Sequence, residues 1–255
     1  MSIHPTAIIS AQAELASDVE VGPYCVIGAG VKIGSGTVLK SHVVIDGITE
    51  IGQGNVLYPF AAIGGQTQDL KYAGEPTSLV IGDRNTFREN VTVHRSTSQT
   101  EPTRIGSDNN FLAYSHVAHD CIVGDHCIFS NNGTIAGHVV VQDYAIISGF
   151  AAVHQFCRVG RHSIIGGCAK IVQDVTPFMI VDGTPAEVRG INTIGLQRRG
   201  FTPEQIREVK TAYKALFLKK KGTNLSDSLS QLAQATGLTA EVRDFITSSE
   251  RGIVR

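Results

Sequence analysis

The chain has 255 residues, a formal net charge of −1, 18% charged and 42% hydrophobic residues, 27 glycines, 6% aromatics and no tryptophan. That length allows one large domain or two smaller ones, and the near-neutral balance gives no global pull toward nucleic acid or an anionic membrane, so neither is an expected partner. No run approaches the roughly 18 apolar residues of a spanning helix, the N-terminal residues lack the form of a signal peptide, and five cysteines without paired close spacing suit a reducing cytoplasm.

From the N-terminus the dominant feature is an internal repeat. An aliphatic residue recurs every sixth position from Ile3 through Ile9, Leu15, Val21, Ile27, Ile33, Leu39, Ile45, Ile51 and Leu57 to Ile63. Four residues after each comes a compact side chain, as at Ala7, Ala13, Val19, Cys25, Val31, Thr37 and Val43. Glycine often follows the aliphatic directly (Gly22, Gly28, Gly34, Gly52), and the expected reason is the unusual backbone angle of a repeated corner. A period of six fits neither a helix at 3.6 nor alternation at two. It fits a short strand, a corner and the next strand, with three hexads closing one triangular coil and neighbouring coils ~4.8 Å apart.

Residues 64–80 lose the column and are polar; Ile81, Phe87 and Val93 restore it; residues 94–104 lose it again. Both interruptions read as loops thrown out from a prism, the places where function concentrates. A second run then holds the same phase from Ile105 to Ile171. After Thr176-Pro177 the period ends, giving a β-helix over 1–177 and a helical domain over 178–255 that covers the open end of the prism. Thr202-Pro203-Glu204-Gln205 has the form of a capping box with proline at the first helical position. The helix it opens is expected to run to about Lys220 and stop at Gly222, with further helices near 225–235 and 240–250.

An eighteen-residue coil turns sequence into a stacked surface. Asp120 and His138 are eighteen apart and so lie one above the other, with His119 beside Asp120 and His154 close by in the next coil. These four should share one edge. Cys25, Cys121, Cys127 and Cys157 fall in the compact inward column and read as core packing. His4, His42, His126 and His162 fall at outward positions and read as surface residues. Gly149 and Gly167, again eighteen apart, are either two turn glycines or a shallow trough for an apolar chain. Lys219-Lys220-Lys221 reads as a basic helix end.

The [Leu/Ile/Val]-Gly-x-x-[small]-x hexad resembles that of the left-handed β-helix acyltransferases, and the resemblance covers residue 3 to about 176. Handedness is expected from it alone, since parallel crossovers are otherwise right-handed in about 98% of cases. More specifically, H-V-A-H-D-C-I-V-G from His116, I-A-G-H-V, A-V-H-Q-F-C, Q-D-L-K-Y-A-G-E-P-T at 68–77 and N-x-x-G-L-x-R-R-G at 192–200 resemble the UDP-N-acetylglucosamine 3-O-acyltransferases of lipid A biosynthesis. The match runs from end to end.

That resemblance implies an acyltransferase that moves a (3R)-hydroxyacyl chain from acyl carrier protein to the glucosamine 3-hydroxyl of UDP-N-acetylglucosamine, without cofactor or metal. It implies His119 as general base, Asp120 as its orienting partner and the Gly137 N–H as oxyanion donor. Gln68, Asp69, Lys71, His116, His138, His154 and Gln155 correspond to residues around the sugar and diphosphate, and Asn192, Arg198 and Arg199 to the nucleotide end. Gly149 and Gly167 match the acyl-chain groove. The family site lies between subunits of a homotrimer, and the acidic carrier protein gives Arg198, Arg199 and the lysine run a second use. Ile194 departs from an acidic residue that some members place near the uracil.

Three other readings compete. A 3-amino UDP-sugar as acceptor would give an amide instead of an ester. A γ-type carbonic anhydrase shares the β-helix and binds zinc through three histidines, but that leaves the helical tail and both loops unaccounted for. A non-catalytic scaffold would tolerate loss of His119. The related lipid A N-acyltransferase carries a uridine-binding domain before its repeats, whereas here the repeats begin at Ile3.

Overall fold

A computed structural model describes residues 2–218 and 224–255. The hexads fold as a left-handed parallel β-helix whose two-residue strands fall in turn on three faces. The first face starts at Ser2–Ile3, the second at Ile8–Ile9 and the third at Glu14–Leu15, and each pairs in parallel with the strand one coil on. The register is eighteen residues, with Val21 opposite Leu39 and Val117 opposite Ile135. Across the first loop it widens to thirty, Ile51 facing Ile81, and across the second to twenty-four, Ile81 facing Ile105. The excess is a whole number of hexads at both, which is why the aliphatic column keeps its phase through the interruptions.

From Val21 to Ile171 the aliphatic column is buried, and Cys25, Val31, Val43, Cys121, Cys127, Val139 and Cys157 form the compact column beside it. Removing each such side chain from water contributes about 1.5–3 kcal/mol. Phe87, Phe111 and Phe129 stack within this interior at 4.9 and 4.8 Å. Buried Asn85 donates to the Asn55 side chain at 3.0 Å, so part of the interior is polar but paired.

The glycine column has a different cause from the one expected. A Cβ at Gly34 would lie 2.6 Å from the Gly52 carbonyl, and one at Gly106 2.7 Å from the Gly124 oxygen. These glycines let successive coils approach. The left-handed backbone falls two residues later, on side chains such as Tyr24 (φ 58°) and His42 (φ 59°). That conformation costs a non-glycine residue about 1–2 kcal/mol. Stacking offsets it: Tyr24, His42 and Phe60 pile up at 5.0 Å spacings along one edge.

A second edge carries His126, Tyr144 and His162 with rings 4.6 Å apart. His162 is therefore not a surface residue. It is 4% exposed, closed over by Phe178 and Phe201 from the C-terminal part. Burial, with Arg161 and Arg199 nearby, pushes its pKa down to about 4.

The period ends near Pro177 but the sheet does not. Met179–Asp182 pairs in parallel with Ile164–Ile165, and Glu187–Ile191 returns antiparallel to it. Among the described residues four helices follow: α1 (Thr193–Arg198), α2 (Pro203–Leu216), α3 (Leu225–Ser230) and α4 (Gly237–Thr247). α1 is a helix that hydrophobic period did not reveal. The Thr202–Gln205 capping box is present at α2. That helix stops at Leu216, short of the expected length, while the lysine run 219–221 and Gly222 lie outside the described residues. The helices share a second core around Phe178, Leu196, Val209, Leu216, Val242 and Phe245. The chain end returns to the prism, where the Val254 N–H donates to the Asp174 carbonyl at 2.9 Å. Among the described residues no helix is long and apolar enough to cross a membrane.

Candidate active site

Asp120 occupies a left-handed corner (φ 57°) immediately after His119, and His138 occupies the same corner one coil higher (φ 60°). The repeat thus places His138 Nε2 3.5 Å from Asp120 Oδ2, while His119 Nδ1 lies 2.7 Å from that same oxygen. The His138 ring stacks on Phe156, which takes the next step of the ladder at 4.6 Å. His154 is on the same edge two residues earlier, exposed, with Nδ1 3.1 Å from the Gln155 carbonyl.

The second loop lies on this same edge one coil below Asp120. Thr97 donates its backbone N–H to Asp120 Oδ1 at 2.9 Å and its hydroxyl to Oδ2 at 2.7 Å, and the Ser98 N–H adds a longer contact at 3.4 Å. Burial works to raise the Asp120 carboxyl, but the hydrogen bonds from His119 and Thr97 and the nearby His138 outweigh it and hold it below the usual carboxylate range. An ionised Asp120 fixes the proton of His119 on Nδ1, leaving the Nε2 lone pair free. A Cβ on Gly137 would lie 2.6 Å from Nε2, so the imidazole rests against bare backbone.

His119 and Gly137 open onto a cleft of about 510 Å³ that also takes in Gln68, Asp69 and Lys71 from the first loop, with His116 and Gln155. Hence seven of the sequence candidates line one space, with Asp120 and His138 adjoining it through His119. The cleft also contains His94, which sequence reasoning left in a polar loop. His94 is 9% exposed, sits edge-on to His116 at 4.8 Å, and has its pKa pushed down to about 4 by burial and by His116, His119 and Arg95. Burial, followed by His119, also lowers His116, whose Nδ1 is 2.7 Å from Thr92 Oγ1. His94 and His116 therefore line the cleft as neutral imidazoles. The one available signal for His94 was its place directly after Val93 in the aliphatic column.

The remaining candidates stand on other edges of the same chain. Arg199, at the end of α1, lies with its guanidinium 4.4 Å over Tyr144 on the His126–His162 ladder. Arg198 is the basic residue of the last turn of that helix. Asn192 is buried and spends both ends of its amide internally, Nδ2 donating to the His162 carbonyl at 2.9 Å and Oδ1 accepting from the Gly195 N–H at 3.0 Å. It caps and anchors α1. Gly149 and Gly167 stack higher on the edge that carries Tyr24, His42 and Phe60, where a Cβ on either would meet only a backbone oxygen, at 3.4 Å.

His119, Asp120 and His138 offer ligand atoms within 4.8 Å of one another, the composition of a metal site. The central carboxylate, however, already accepts from His119 and from Thr97 on both oxygens. That leaves it a poor metal ligand. The buried cysteines are equally poor candidates, because burial raises Cys121 and Cys127 to about 12 and Cys157 to about 11. Such thiols do not ionise near neutrality.

Residues 174–254 match the family model for UDP-N-acetylglucosamine O-acyltransferase, domain 2, and residues 13–47 and 102–137 match the bacterial transferase hexapeptide. An acyl-[acyl-carrier-protein]–UDP-N-acetylglucosamine O-acyltransferase of Thiobacillus denitrificans is 51% identical over 100% of this chain and 99% of its own length. The enzyme of that name from Ectopseudomonas mendocina is 53% identical with the same coverage. Among solved structures, the UDP-N-acetylglucosamine acyltransferase of Francisella novicida is 39% identical with a TM-score of 0.94, covering 99% of this chain and 94% of its own. That of Bacteroides fragilis is also 39% identical, with a TM-score of 0.95 over 99% and 100%.

Proposed function

The chain belongs to the UDP-N-acetylglucosamine O-acyltransferase family, and from that premise we propose the following route for transfer of a (3R)-hydroxyacyl chain from acyl carrier protein to the glucosamine 3-hydroxyl of UDP-N-acetylglucosamine. This transfer opens lipid A biosynthesis. The observation that carries the route is the His119–Asp120 pair at 2.7 Å facing a cleft shared with the first loop.

A sugar hydroxyl is a weak nucleophile until its proton has somewhere to go. His119 Nε2 takes that proton as the 3-oxygen attacks the thioester carbonyl carbon, and Asp120 stabilises the imidazolium that forms. The Gly137 N–H faces the developing oxyanion. Collapse breaks the carbon–sulfur bond, and His119 returns the proton to the departing thiolate. No acyl-enzyme is needed, because the thioester is already activated and both substrates are held together. Gln68, Asp69, Lys71, His116, His138, His154 and Gln155 bind sugar and diphosphate. Arg198 and Arg199 address the nucleotide, with Asn192 positioning them through α1. Gly149 and Gly167 floor the acyl groove.

Three groups on three edges of one prism cannot meet within one chain, which supports a homotrimer whose clefts lie between subunits. Exposed Ile8, Tyr24, Val26, Val44 and Phe60, running up one side of the N-terminal coils, support the same assembly. The unpaired cysteines fit a cytoplasmic location. The relatives' names place the acyl chain on oxygen, which sets ester formation ahead of the amide.

Incubation with UDP-N-acetylglucosamine and a set of hydroxyacyl carrier proteins, followed by mass spectrometry, should yield the 3-O-acyl product with one preferred chain length. An unmodified sugar nucleotide under every donor would reject the assignment.

A further inference from the structure

The hydroxyl of Thr97 shares Asp120 Oδ2 with His119, and this arrangement is made by the second loop alone. The two residues are twenty-three apart in sequence, a spacing that the coil repeat does not produce. We propose that Thr97 is a positioning residue for the base: it locks the Asp120 carboxylate so that Oδ2 serves His119 while His138 stays free for substrate. This rests on the reading of His119 as general base.

The argument is one of competition for one oxygen. Thr97 binds both carboxylate oxygens, by N–H to Oδ1 and by hydroxyl to Oδ2, and so removes the freedom of the group to turn. His138 Nε2 stands 3.5 Å from Oδ2, just beyond hydrogen-bonding range. Without the Thr97 hydroxyl, His138 is the nearest donor able to fill the vacated lone pair. It would be drawn in, and His119 would be left with a shared, reoriented partner.

The loop is itself held in place. Ser96 donates its N–H to the Ser78 carbonyl at 3.1 Å, and the Arg95 N–H and guanidinium donate to the carbonyls of Gly65 and Gly64. Gly64 and Gly65 open the loop that carries Gln68, Asp69 and Lys71. The two loops are thus stitched together, and Thr97 transmits the position of the sugar-contacting loop to the base.

The test is a double-mutant cycle on the full-length enzyme. Thr97→Val, which keeps shape and backbone N–H but removes the hydroxyl, should lower kcat about tenfold with KM within twofold, and Thr97→Ser should restore most of it. In an Asp120→Ala background the same Thr97→Val change should have no further effect, because its target is gone. Thr97→Ala repeats the measurement should the valine variant prove unstable. A kcat within twofold of wild type for Thr97→Val, a serine variant no better than valine, or losses that multiply in the double variant would each overturn the proposal. His119→Ala, run alongside, separates the two levels: an active His119→Ala enzyme rejects the base itself, whereas an inactive one with a normal Thr97→Val enzyme rejects only the role of Thr97.

Discussion

The prism and the helical tail are stabilised and specified in different ways. In the prism one residue out of six repeats a single environment, and remote positions become neighbours by arithmetic, as with Phe111 and Phe129 or Asp120 and His138. In the tail each contact is particular: a capping box starts α2, Asn192 anchors α1, and Arg161 pairs with Glu241 of α4. The lesson is that the repeating part supplies an edge on which His119, Asp120 and His138 meet. The tail supplies side chains at a distance from that edge, held there by a few local devices.

Four changes break or sharpen that contrast, in descending order of expected effect. Phe111→Ala removes a fully buried ring from the middle of the stack and should cost about 3–5 kcal/mol, read by denaturant unfolding. A loss under about 1 kcal/mol would mean that the aromatic interior is not close-packed. His119→Ala should leave the melting temperature unchanged and lower kcat at least 100-fold, about 2.7 kcal/mol of barrier. Unaltered turnover would separate that edge from the chemistry.

Acid titration compares the regions directly, since His94 lies in the prism and His162 beneath the tail, both with pKa values pushed from 6.5 down to about 4. A lowered folded-state value means that the unfolded chain binds the proton more readily. Stability is therefore full above about pH 6.5 and drains away as pH falls toward 4. His162→Phe should flatten part of that dependence, and an unchanged slope would show that His162 does not contribute. The smallest effect belongs to Thr202→Ala, which should cost about 1 kcal/mol of tail stability and leave kcat alone. Hydrogen exchange in α2 checks it.

Much of the architecture was legible because a six-residue period has few solutions, and the placing of Asp120 below His138 followed from counting. The failures are equally physical. His162 was assigned outward correctly as a direction, yet outward meant buried once Phe178 and Phe201 closed over it. The glycine column was traced to backbone angle when its cause is the approach of coils. The strands at 179–182 and 187–191 continue a sheet after the period stops, because an antiparallel return needs no hexad. Asn192 was legible as a motif residue but not as a helix cap. His94 was missed because the aliphatic column stops at Val93, although the strand Thr92–His94 carries it into the prism, and Thr97 because it lies in a segment that leaves the period. Nothing in a polar loop announces which hydroxyl will reach a carboxylate.

The two excursions, which the strands confine to 66–77 and 95–102 where the sequence suggested 64–80 and 94–104, also divide the chain into stretches that tolerate editing and stretches that do not. Deleting one residue between Val21 and Leu57 would shift the hexads from there to the first excursion by one step and turn their isoleucines, leucines and valines outward into water. Deleting one residue near the exposed Gln99 or Thr100 would be absorbed by slack before the prism resumes at Thr103. Variation in length among such proteins should therefore gather at those two gates, beside the cleft, where a new turn of chain can reshape what is bound without disturbing the stack behind it.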